Sequence, residues 1–495
     1  MSFPRASGIL LHPSSLPGPY GIGDLGAEAY HFADFLAAAG QKIWQVLPLG
    51  PTGYGDSPYQ CFSSMAGNPL LISLDLLRED GWLSNEDLQG APSGPPDDID
   101  YGAVIAFKLP LLGRAQRNFA VHANAAMHQF FAEFCERNAS WLDDYARFMA
   151  LKEAHGMAAW THWDRGAGAG AEAVAARKFE QFVFFRQWRA LKQYCNDRGI
   201  RIFGDLPIYV AHDSADVWSR PDLFFLDADG NPEFASGVPP DYFSATGQLW
   251  GNPIYRWERM AADGYAWWAT RLRATLDMVD IVRLDHFRGF EAYWQVPGRD
   301  PTAEHGKWVQ GPGAGLFEEL EKSLGKLPIV AENLGVITPD VEAIRNRFGY
   351  PGMSVLQFAF GRDSQAPDFR PHNYPRNVVA YSGTHDNDTT VGWWNSAGIG
   401  DSTRTAAEIE QEREIARQYL NFTGDEIHWA FIRALEASVA ATVVIPMQDV
   451  LGLGSAARMN QPATAGKNWR WRYLPGACSG ELAQRMKHFA RLFDR

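Results

Sequence analysis

The stretch "DIVRLDHFRG" (280–289) begins as a buried β-strand and ends in a cluster of charge. Arg283, Asp285, His286 and Arg288 fall within six positions, directly after an apolar run. Such a cluster is typical either of a surface turn or of a catalytic centre at the end of a strand. Which interpretation applies depends on whether other strands of the chain end in the same way.

Similar short apolar runs recur along the chain, and each ends in polar residues, glycine or proline. Several are continuously apolar rather than alternating, which is typical of strands buried on both faces. Helical patterns such as "AEAYHFADFLAAAG" (27–40) lie between most of them. Repeated strand–helix alternation predicts an α/β fold, a (β/α)8 TIM barrel. The predicted strands lie within residues 7–13, 42–51, 199–210, 278–287, 327–335, 353–360, 377–388 and 441–452.

The chain has 495 residues, whereas a barrel of this type needs about 250, so large insertions are expected. We interpret residues 1–495 as a single catalytic barrel. Residues 50–198 form a mostly helical insertion subdomain between strands 2 and 3, with a flexible tip at 165–171. A second insertion at 213–270 carries an aromatic lid loop near 234–255, because this Gly- and Pro-rich segment shows no periodicity.

Composition excludes several classes of partner. The net charge of −13 disfavours nucleic acids and anionic membranes, which attract basic surfaces. The four cysteines are far apart and show no metal-binding spacing, which is typical of reduced thiols in the cytoplasm. No secretory leader and no apolar stretch long enough to span a bilayer are evident. We expect a cytoplasmic, soluble protein.

Acidic residues follow several of the predicted strands. Asp205, Asp285, Glu332, Asp386 and Asp449 each stand at or just beyond the end of an apolar run. In a TIM barrel these ends form one mouth, where active sites lie. A single carboxylate there is more often part of a structural ion pair. Four or five together are hard to explain as structure, because buried acids are costly unless they are paired.

Paired carboxylates suit glycoside chemistry, in which one protonates the leaving oxygen and the other attacks the anomeric carbon or activates water. Residues two apart in a strand share a face, so Arg283 and Asp285 both point into the mouth. The guanidinium keeps Asp285 ionised, as a nucleophile requires. Glu332 follows an apolar strand beside other negative charges, and both circumstances raise a carboxyl pKa, as an acid catalyst requires.

Competing motifs are weak. "GLGSAA" (452–457) matches a dinucleotide-binding loop, but no acidic residue follows at the expected spacing of about 20 residues. The chain contains no phosphate-binding G-x-x-x-x-G-K-[ST], no H-E-x-x-H and no G-x-S-x-G motif. We therefore expect no cofactor and no metal.

Six motifs in register identify the family that the chain resembles. They closely resemble those of amylomaltases, the 4-α-glucanotransferases of glycoside hydrolase family 77, in the short bacterial form. The likeness runs from near residue 7 to the C-terminus and implies a (β/α)8 barrel and retaining transfer of α-1,4-glucan segments. The motifs are "PTGYGDSPYQ" (51–60), "GDLPIYV" (204–210), "VRLDHFRG" (282–289), "AENLG" (331–335), "SGTHDNDT" (382–389) and "NWRWR" (468–472).

The resemblance also implies residue roles. Asp285 would be the nucleophile, Glu332 the acid/base and Asp386 the third carboxylate, which holds sugar hydroxyls. Asn333 is a departure, because the family usually has an aspartate there. The implied substrate-binding residues are Arg283, His286, His385, Asp205, Tyr54, Asp56, Ser57, Tyr59, Asp241, Trp250, Tyr101 and Asn460.

Other functions stay open at the level of sequence. An amylase-like hydrolase would use the same carboxylates with water as acceptor. A non-catalytic glucan-binding protein would have lost at least one of Asp285, Glu332 and Asp386, all of which are present. A metal-dependent barrel enzyme is disfavoured by the spacing of the histidines. His286 and Tyr54 also have structural interpretations, as packing residues. The expected partners are α-1,4-glucans: maltooligosaccharides, amylose and glycogen.

Overall fold

The structure, a computed structural model, describes residues 3–164, 166, 168–240, 246–397, 405–462, 464 and 466–495. Its strands form two sheets, one parallel and one antiparallel. The strands are β1 (Ala6–Leu10), β2 (Ile43–Gln45), β3 (Arg201–Leu206), β4 (Phe234–Val238), β5 (Gln248–Pro253), β6 (Ile281–Leu284), β7 (Ala292–Pro297), β8 (Lys307–Gln310), β9 (Ile329–Ala331), β10 (Gly352–Val355), β11 (Val378–Tyr381) and β12 (Thr442–Pro446).

The parallel sheet is the predicted barrel. Eight strands follow the order β10-β11-β12-β1-β2-β3-β6-β9. Each overlaps one of the eight predicted segments, although β1 and β10 begin one residue before theirs. Strands such as β1, β6 and β12 are buried along their whole length, which explains the continuous apolar runs. The backbone N–H of Ala331 donates to the carbonyl of Pro351 (2.8 Å), which brings β9 against the chain entering β10. The predicted α/β class and TIM-barrel fold are confirmed.

Helices lie between the strands and around the barrel. The helices are α1 (Ala27–Ala38), α2 (Leu74–Glu79), α3 (Tyr101–His122), α4 (Ala125–Arg137), α5 (Ala139–Ala154), α6 (Ala171–Asp197), α7 (Ala215–Ser219), α8 (Trp257–Ala261), α9 (Ala266–Met278), α10 (Ala314–Leu324), α11 (Pro339–Phe348), α12 (Thr390–Asn395), α13 (Ala406–Leu420), α14 (Ile427–Ala437), α15 (Met447–Val450) and α16 (Gly480–Leu492).

Helices α2 to α6 occupy the long segment between β2 and β3. Their buried faces carry many aromatic rings, and Phe119 packs against Trp82, Phe131 and Phe179. The helix α6 already begins at Ala171, the last residue of the predicted tip. Arg165 and Ala167, also part of that tip, lie outside the described residues.

Two strands of the second sheet, β4 and β5, lie in the part of the 213–270 insertion, near 234–255, that was predicted to be an aperiodic lid loop. The four strands of this sheet are antiparallel in the order β5-β4-β7-β8. The strands β4 and β5 were missed because glycine and proline interrupt their apolar pattern. The second partner of β4, β7, lies beyond the Asp285 loop, so no local signal in the sequence indicates this pairing. No described helix has the length and apolar character needed to cross a membrane.

Candidate active site

Four of the predicted carboxylates stand at the carboxyl ends of barrel strands. Asp205 is the penultimate residue of β3, Asp285 directly follows β6, Glu332 directly follows β9, and Asp386 lies on the loop after β11. The parallel strands all point the same way, so these ends share one face of the barrel. Hydrogen bonds and ion pairs through Arg283, Tyr59 and His385 link the side chains of the three aspartates. Glu332 is connected to the Asp285 loop through the backbone N–H of His286.

Arg283 binds two of these carboxylates. Its Nη1 donates to both oxygens of Asp205 (2.9 and 2.7 Å), and its Nη2 lies 2.7 Å from Oδ1 of Asp285. Asp205 and Arg283 are direct neighbours in the β3–β6 register, so their side chains leave the sheet side by side. The Asp205 side chain is fully buried, whereas that of Asp285 is 27% exposed. Arg283 therefore neutralises the inner carboxylate and orients the outer one, which a substrate can reach.

Glu332 is held by two backbone amides. Its Oε2 accepts from the N–H of His286 (2.8 Å), and its Oε1 accepts from the N–H of Leu334 (2.7 Å). Burial raises the pKa of Glu332 to about 7, and the charge of Asp285 adds to the rise, although Arg283 and both amides oppose it. A carboxyl group with this pKa can give up and regain a proton near neutral pH, as an acid/base catalyst must.

His286 takes a backbone conformation that few residues other than glycine adopt. Its φ of +50° is left-handed, and this turn directs its N–H at Glu332. Burial lowers the pKa of His286 to about 4, so its imidazole is neutral at neutral pH. Its Nε2 is buried and finds no hydrogen-bond partner within the described chain. The indole of Trp250, on β5, packs against the imidazole at 4.8 Å with the rings nearly perpendicular.

Three aromatic rings form one stack at the mouth. Tyr59 lies on His385 with ring centroids 5.0 Å apart, and Trp469 packs against both at 5.7 and 5.9 Å. The Tyr59 hydroxyl donates to Oδ2 of Asp205 (2.8 Å). Burial and the neighbouring Asp205 hold the pKa of Tyr59 well above its usual value, so the hydroxyl stays a donor. The stack thus ties the 51–60 loop to β3 and to the loop after β11.

Asp386 is the most open of the four carboxylates, with 44% of its side chain exposed. Its Oδ1 accepts from Nδ2 of Asn460 (2.6 Å) and lies 3.3 Å from Nε2 of His385. Its backbone carbonyl accepts from Arg458 (2.6 Å), whose Nε also donates to the carbonyl of Asn460 (2.8 Å). The third carboxylate is therefore oriented from the segment that follows β12.

Other predicted residues lie apart from this centre. The ring of Tyr54 is 86% exposed on a 3₁₀ turn (Tyr54–Asp56), and Asp56 and Ser57 belong to the same loop. Ser57 Oγ accepts from the Tyr59 N–H (3.2 Å), which shapes the loop rather than the mouth. Tyr101 is buried at the start of α3, and its hydroxyl donates to the carbonyl of Trp469 (2.9 Å), so it supports the aromatic stack from below.

Two predictions need separate mention. Asp241 lies outside the described residues. Asp449, which was grouped with the carboxylates of the mouth, follows β12 at the same face of the barrel, but its carboxylate is used within the fold. It is buried and accepts from the hydroxyl of Ser382 (2.5 Å) and from the N–H and hydroxyl of Thr390 (2.6 and 2.8 Å). All of these bonds serve to fasten the loop after β11.

Sequence reasoning did not assign Trp469 and Arg458 to the site. Trp469 belongs to the "NWRWR" stretch (468–472), so its motif was a signal, but its place beside Tyr59 depends on the tertiary fold. Arg458 carried no local signal, because it acts through backbone carbonyls. Across the part of the chain that the structure describes, no three His, Cys, Asp or Glu side chains are grouped as metal ligands.

Comparisons of the sequence and of the structure with known proteins lead to one family. A family model described as 4-alpha-glucanotransferase, of glycoside hydrolase family 77, matches residues 11–477. A 4-alpha-glucanotransferase of Synechocystis sp. is 52% identical, over 99% of this chain and 98% of its own length. One from Thermus thermophilus is 50% identical over the whole of both chains. The solved amylomaltase of Streptococcus agalactiae, in complex with acarbose, superposes with a TM-score of 0.93 at 38% identity and 99% coverage of both chains.

Proposed function

The chain belongs to the 4-α-glucanotransferases of glycoside hydrolase family 77 and transfers glucan segments, and we propose that Asp285, Glu332 and Asp386 carry the reaction. The observation that supports this most directly is the arrangement around Arg283. One guanidinium neutralises the buried Asp205 and presents the partly exposed Asp285 to the mouth. A guanidinium in this position orients the carboxylate oxygen that would attack carbon.

In the first half of the reaction Glu332 donates its proton to the glycosidic oxygen. Asp285 attacks the anomeric carbon from the opposite face, so that a covalent glycosyl-enzyme forms and a shorter glucan leaves. The raised pKa of Glu332 means that much of it still carries a proton near pH 7. The neighbouring amides of His286 and Leu334 then stabilise the carboxylate that remains after the proton has left.

In the second half Glu332 acts as a base and removes the proton from the 4-hydroxyl of an acceptor glucan or glucose. That oxygen attacks the anomeric carbon and releases Asp285, and two inversions give net retention. Asp386 accepts hydrogen bonds from hydroxyl groups of the donor sugar while the sugar ring flattens. Its orientation by Asn460 and His385 supports this role.

The remaining site residues are proposed to bind sugar. His286, whose buried Nε2 has no hydrogen-bond partner among the described residues, is proposed to bind a sugar hydroxyl group, and the Tyr59–His385 stack is proposed to hold a sugar face. Tyr54, with its exposed ring, and the loop of Asp56 and Ser57 are proposed to contact glucan outside the centre. Trp250, on the insertion at 213–270, is proposed to close over the acceptor and limit the entry of water, which favours transfer over hydrolysis.

The proposed substrates are maltooligosaccharides, amylose and glycogen, and the proposed location is the cytoplasm. All four cysteines are free thiols, which is compatible with a reducing compartment. We also propose the division into a catalytic barrel over 1–495, a helical insertion subdomain over 50–198 and a lid near 234–255.

The test is incubation with maltotriose alone, followed by separation of the products by chain length. Glucose together with a ladder of longer maltooligosaccharides, lost in Asp285→Ala, is the expected result. Glucose and maltose alone, with a rise in reducing ends, would instead indicate a hydrolase. Full activity in Asp285→Ala would exclude Asp285 as the nucleophile.

A further inference from the structure

Asn333 directly follows Glu332, the proposed acid/base residue, and its side chain connects β9 with β10 at the place where the barrel closes, which we call the seam. Its Oδ1 accepts a hydrogen bond from the backbone N–H of Met353 (2.8 Å), and its Nδ2 donates to Oε1 of Glu342 (2.8 Å). Met353 lies in β10 and Glu342 in α11. One amide therefore joins the loop after β9 to the next strand and to the intervening helix.

The bond to Met353 replaces a rung of the parallel sheet. The N–H of Ala331 donates to the carbonyl of Pro351, as in a regular parallel pair. Regular geometry would next have the N–H of Met353 donate to the carbonyl of Ala331. Here that N–H meets the Asn333 side chain instead, so the seam between β9 and β10 is completed by a side chain beside Glu332.

The surroundings of Asn333 are built for a close fit. A Cβ on Gly352 would lie 2.7 Å from Oδ1 of Asn333, so glycine leaves the space that the amide fills. On the other side, Glu342 also pairs with Arg345, which donates to the carbonyl of Tyr350 (2.8 Å). Burial raises the pKa of Glu342, but the hydrogen bonds from Arg345 and Asn333 outweigh it and bring the pKa below its usual value.

Glu342 is therefore ionised and needs donors, whereas the Met353 N–H needs an acceptor. A primary amide satisfies both residues at once, because its Nδ2 donates and its Oδ1, which diverges from the same carbon, accepts. A carboxylate would lack the donor, and an aliphatic side chain would lack both groups. The residue type at 333 is thus set by two partners of opposite hydrogen-bonding character.

We propose that Asn333 is a positioning residue for Glu332, an inference that rests on the proposed acid/base role of Glu332. Leu334, whose N–H holds Oε1 of Glu332, is the next residue in the chain. By fixing residue 333 to β10 and α11, the amide fixes the Leu334 N–H and so one of the two bonds that orient the carboxyl group. Asn333 acts through Glu332 and does not need to touch the glucan.

The first test is Asn333→Leu, which keeps the branched shape of the side chain and removes both hydrogen bonds. The kcat for maltotriose disproportionation should fall roughly ten- to hundredfold, because the acid/base is no longer held in its productive geometry. KM should stay near the wild-type value. The alkaline limb of kcat/KM should move to higher pH, because weaker amide bonds favour the protonated form of Glu332. If Asn333→Leu does not fold, Asn333→Ser, whose hydroxyl is too short to bridge both partners, is measured with the same expectations.

The second test examines the contact with Glu342. Asn333→Asp places two carboxylates together, and such a pair is stable only while it shares a proton. The melting temperature of this variant should fall relative to wild type as the pH rises from about 5 to about 9. Adding Glu342→Gln should remove that extra pH dependence, because the introduced amide can donate to the introduced carboxylate.

Asn377→Asp is the matched control, since Asn377 is half-buried and donates to the carbonyl of Gly349 (3.2 Å) at the opposite end of the barrel strands. It should lose stability without any change in kcat or in the pH profile. The proposal is overturned if Asn333→Leu or Asn333→Ser keeps the wild-type kcat and pH profile, or if Asn333→Asp shows the wild-type pH dependence of melting. Glu332→Gln is measured alongside, and full activity there would overturn the acid/base assignment itself.

Discussion

The backbone N–H of His286 donates a hydrogen bond to Oε2 of Glu332 across 2.8 Å. The residue after the proposed nucleophile therefore holds the proposed acid/base. This is possible because His286 adopts a left-handed backbone, with φ of +50°. The loops after β6 and β9 are consequently coupled, although His286 and Glu332 are 46 residues apart in sequence. A change in the conformation of one loop should therefore alter the other.

Glu332→Gln is expected to lower the kcat for maltotriose by about two to four orders of magnitude, because the amide cannot protonate the glycosidic oxygen. Formation of the glycosyl-enzyme from an α-maltosyl fluoride donor should be affected far less, since fluoride leaves without a proton. Release of fluoride by the variant measures this step directly. Equal losses with both donors would contradict the assignment of Glu332 as the acid.

The raised pKa of Glu332, about 7, makes a prediction about stability. The folded protein binds this proton more tightly than the unfolded chain does, so the contribution of Glu332 to stability falls as the pH rises from about 4.5 to about 7. Glu332→Gln removes this titration, so its stability relative to wild type should rise by on the order of 2 kcal/mol between about pH 5 and about pH 8. Urea unfolding at about pH 5 and about pH 8 measures the difference. An equal difference at both values would contradict the raised pKa.

Arg283→Leu is expected to abolish transfer and to destabilise the fold by about 3–5 kcal/mol, because it leaves Asp205 buried without its cation. Arg283→Lys keeps the charge but cannot reach both Asp205 and Asp285 as a guanidinium does. We expect it to recover part of the stability and little of the kcat. Urea unfolding and maltotriose kinetics on both variants separate the two effects. Wild-type kcat in Arg283→Lys would show that the planar fork is unnecessary.

Tyr59→Phe keeps the stack on His385 but removes the hydroxyl that donates to the buried Asp205. A hydrogen bond to a charged group contributes about 1.5–3 kcal/mol, so urea unfolding should show a loss in that range. Tyr101→Phe is the matched control, because its hydroxyl donates to a neutral carbonyl and should cost only about 1 kcal/mol. Equal losses of unfolding free energy in the two variants would show that the hydrogen bond to Asp205 is no stronger than one to a neutral carbonyl.

Asn460→Asp replaces the donor to Asp386 by a second carboxylate. The kcat/KM should fall about tenfold or more at neutral pH, because Asp386 loses a charge-assisted bond and gains a repulsive neighbour. The loss should shrink at acidic pH, where the two carboxyl groups can share a proton. Asn460→Ala, which removes the donor without adding charge, should show a pH-independent loss. A profile for Asn460→Asp that matches Asn460→Ala would contradict the contact.

Much of the site could be predicted from sequence, because the residues that mark the end of a strand are neighbours in the chain. The apolar runs before Asp285 and Glu332 predict buried strands, and the barrel topology brings the carboxyl ends of its strands to one face. Asp449 also follows such a run, but its carboxylate is used within the fold. Its oxygens are used by Ser382 and Thr390, and the sequence does not show which way a side chain turns beyond its strand.

Contacts between distant segments could not be predicted in this way. Trp469 reaches Tyr59 across more than 400 residues of chain, and the strands β4 and β7 pair across the loop that carries Asp285. Asn333 was seen only as a departure from the family pattern. Its two partners, Met353 and Glu342, become visible when β9, β10 and α11 are packed together.

The sequence by itself determined the barrel, its eight strands and the carboxylates at their ends, because burial on both faces and strand–helix alternation are written in the local order of residues. Only the tertiary structure decided which charges meet. Arg283 pairs with Asp205 because β3 and β6 are neighbours in register, and Glu332 is held by His286 because a left-handed turn directs that amide. Hydrogen bonds and ion pairs act over a few ångströms, so their partners are set by the packing of strands and loops that lie far apart in the chain.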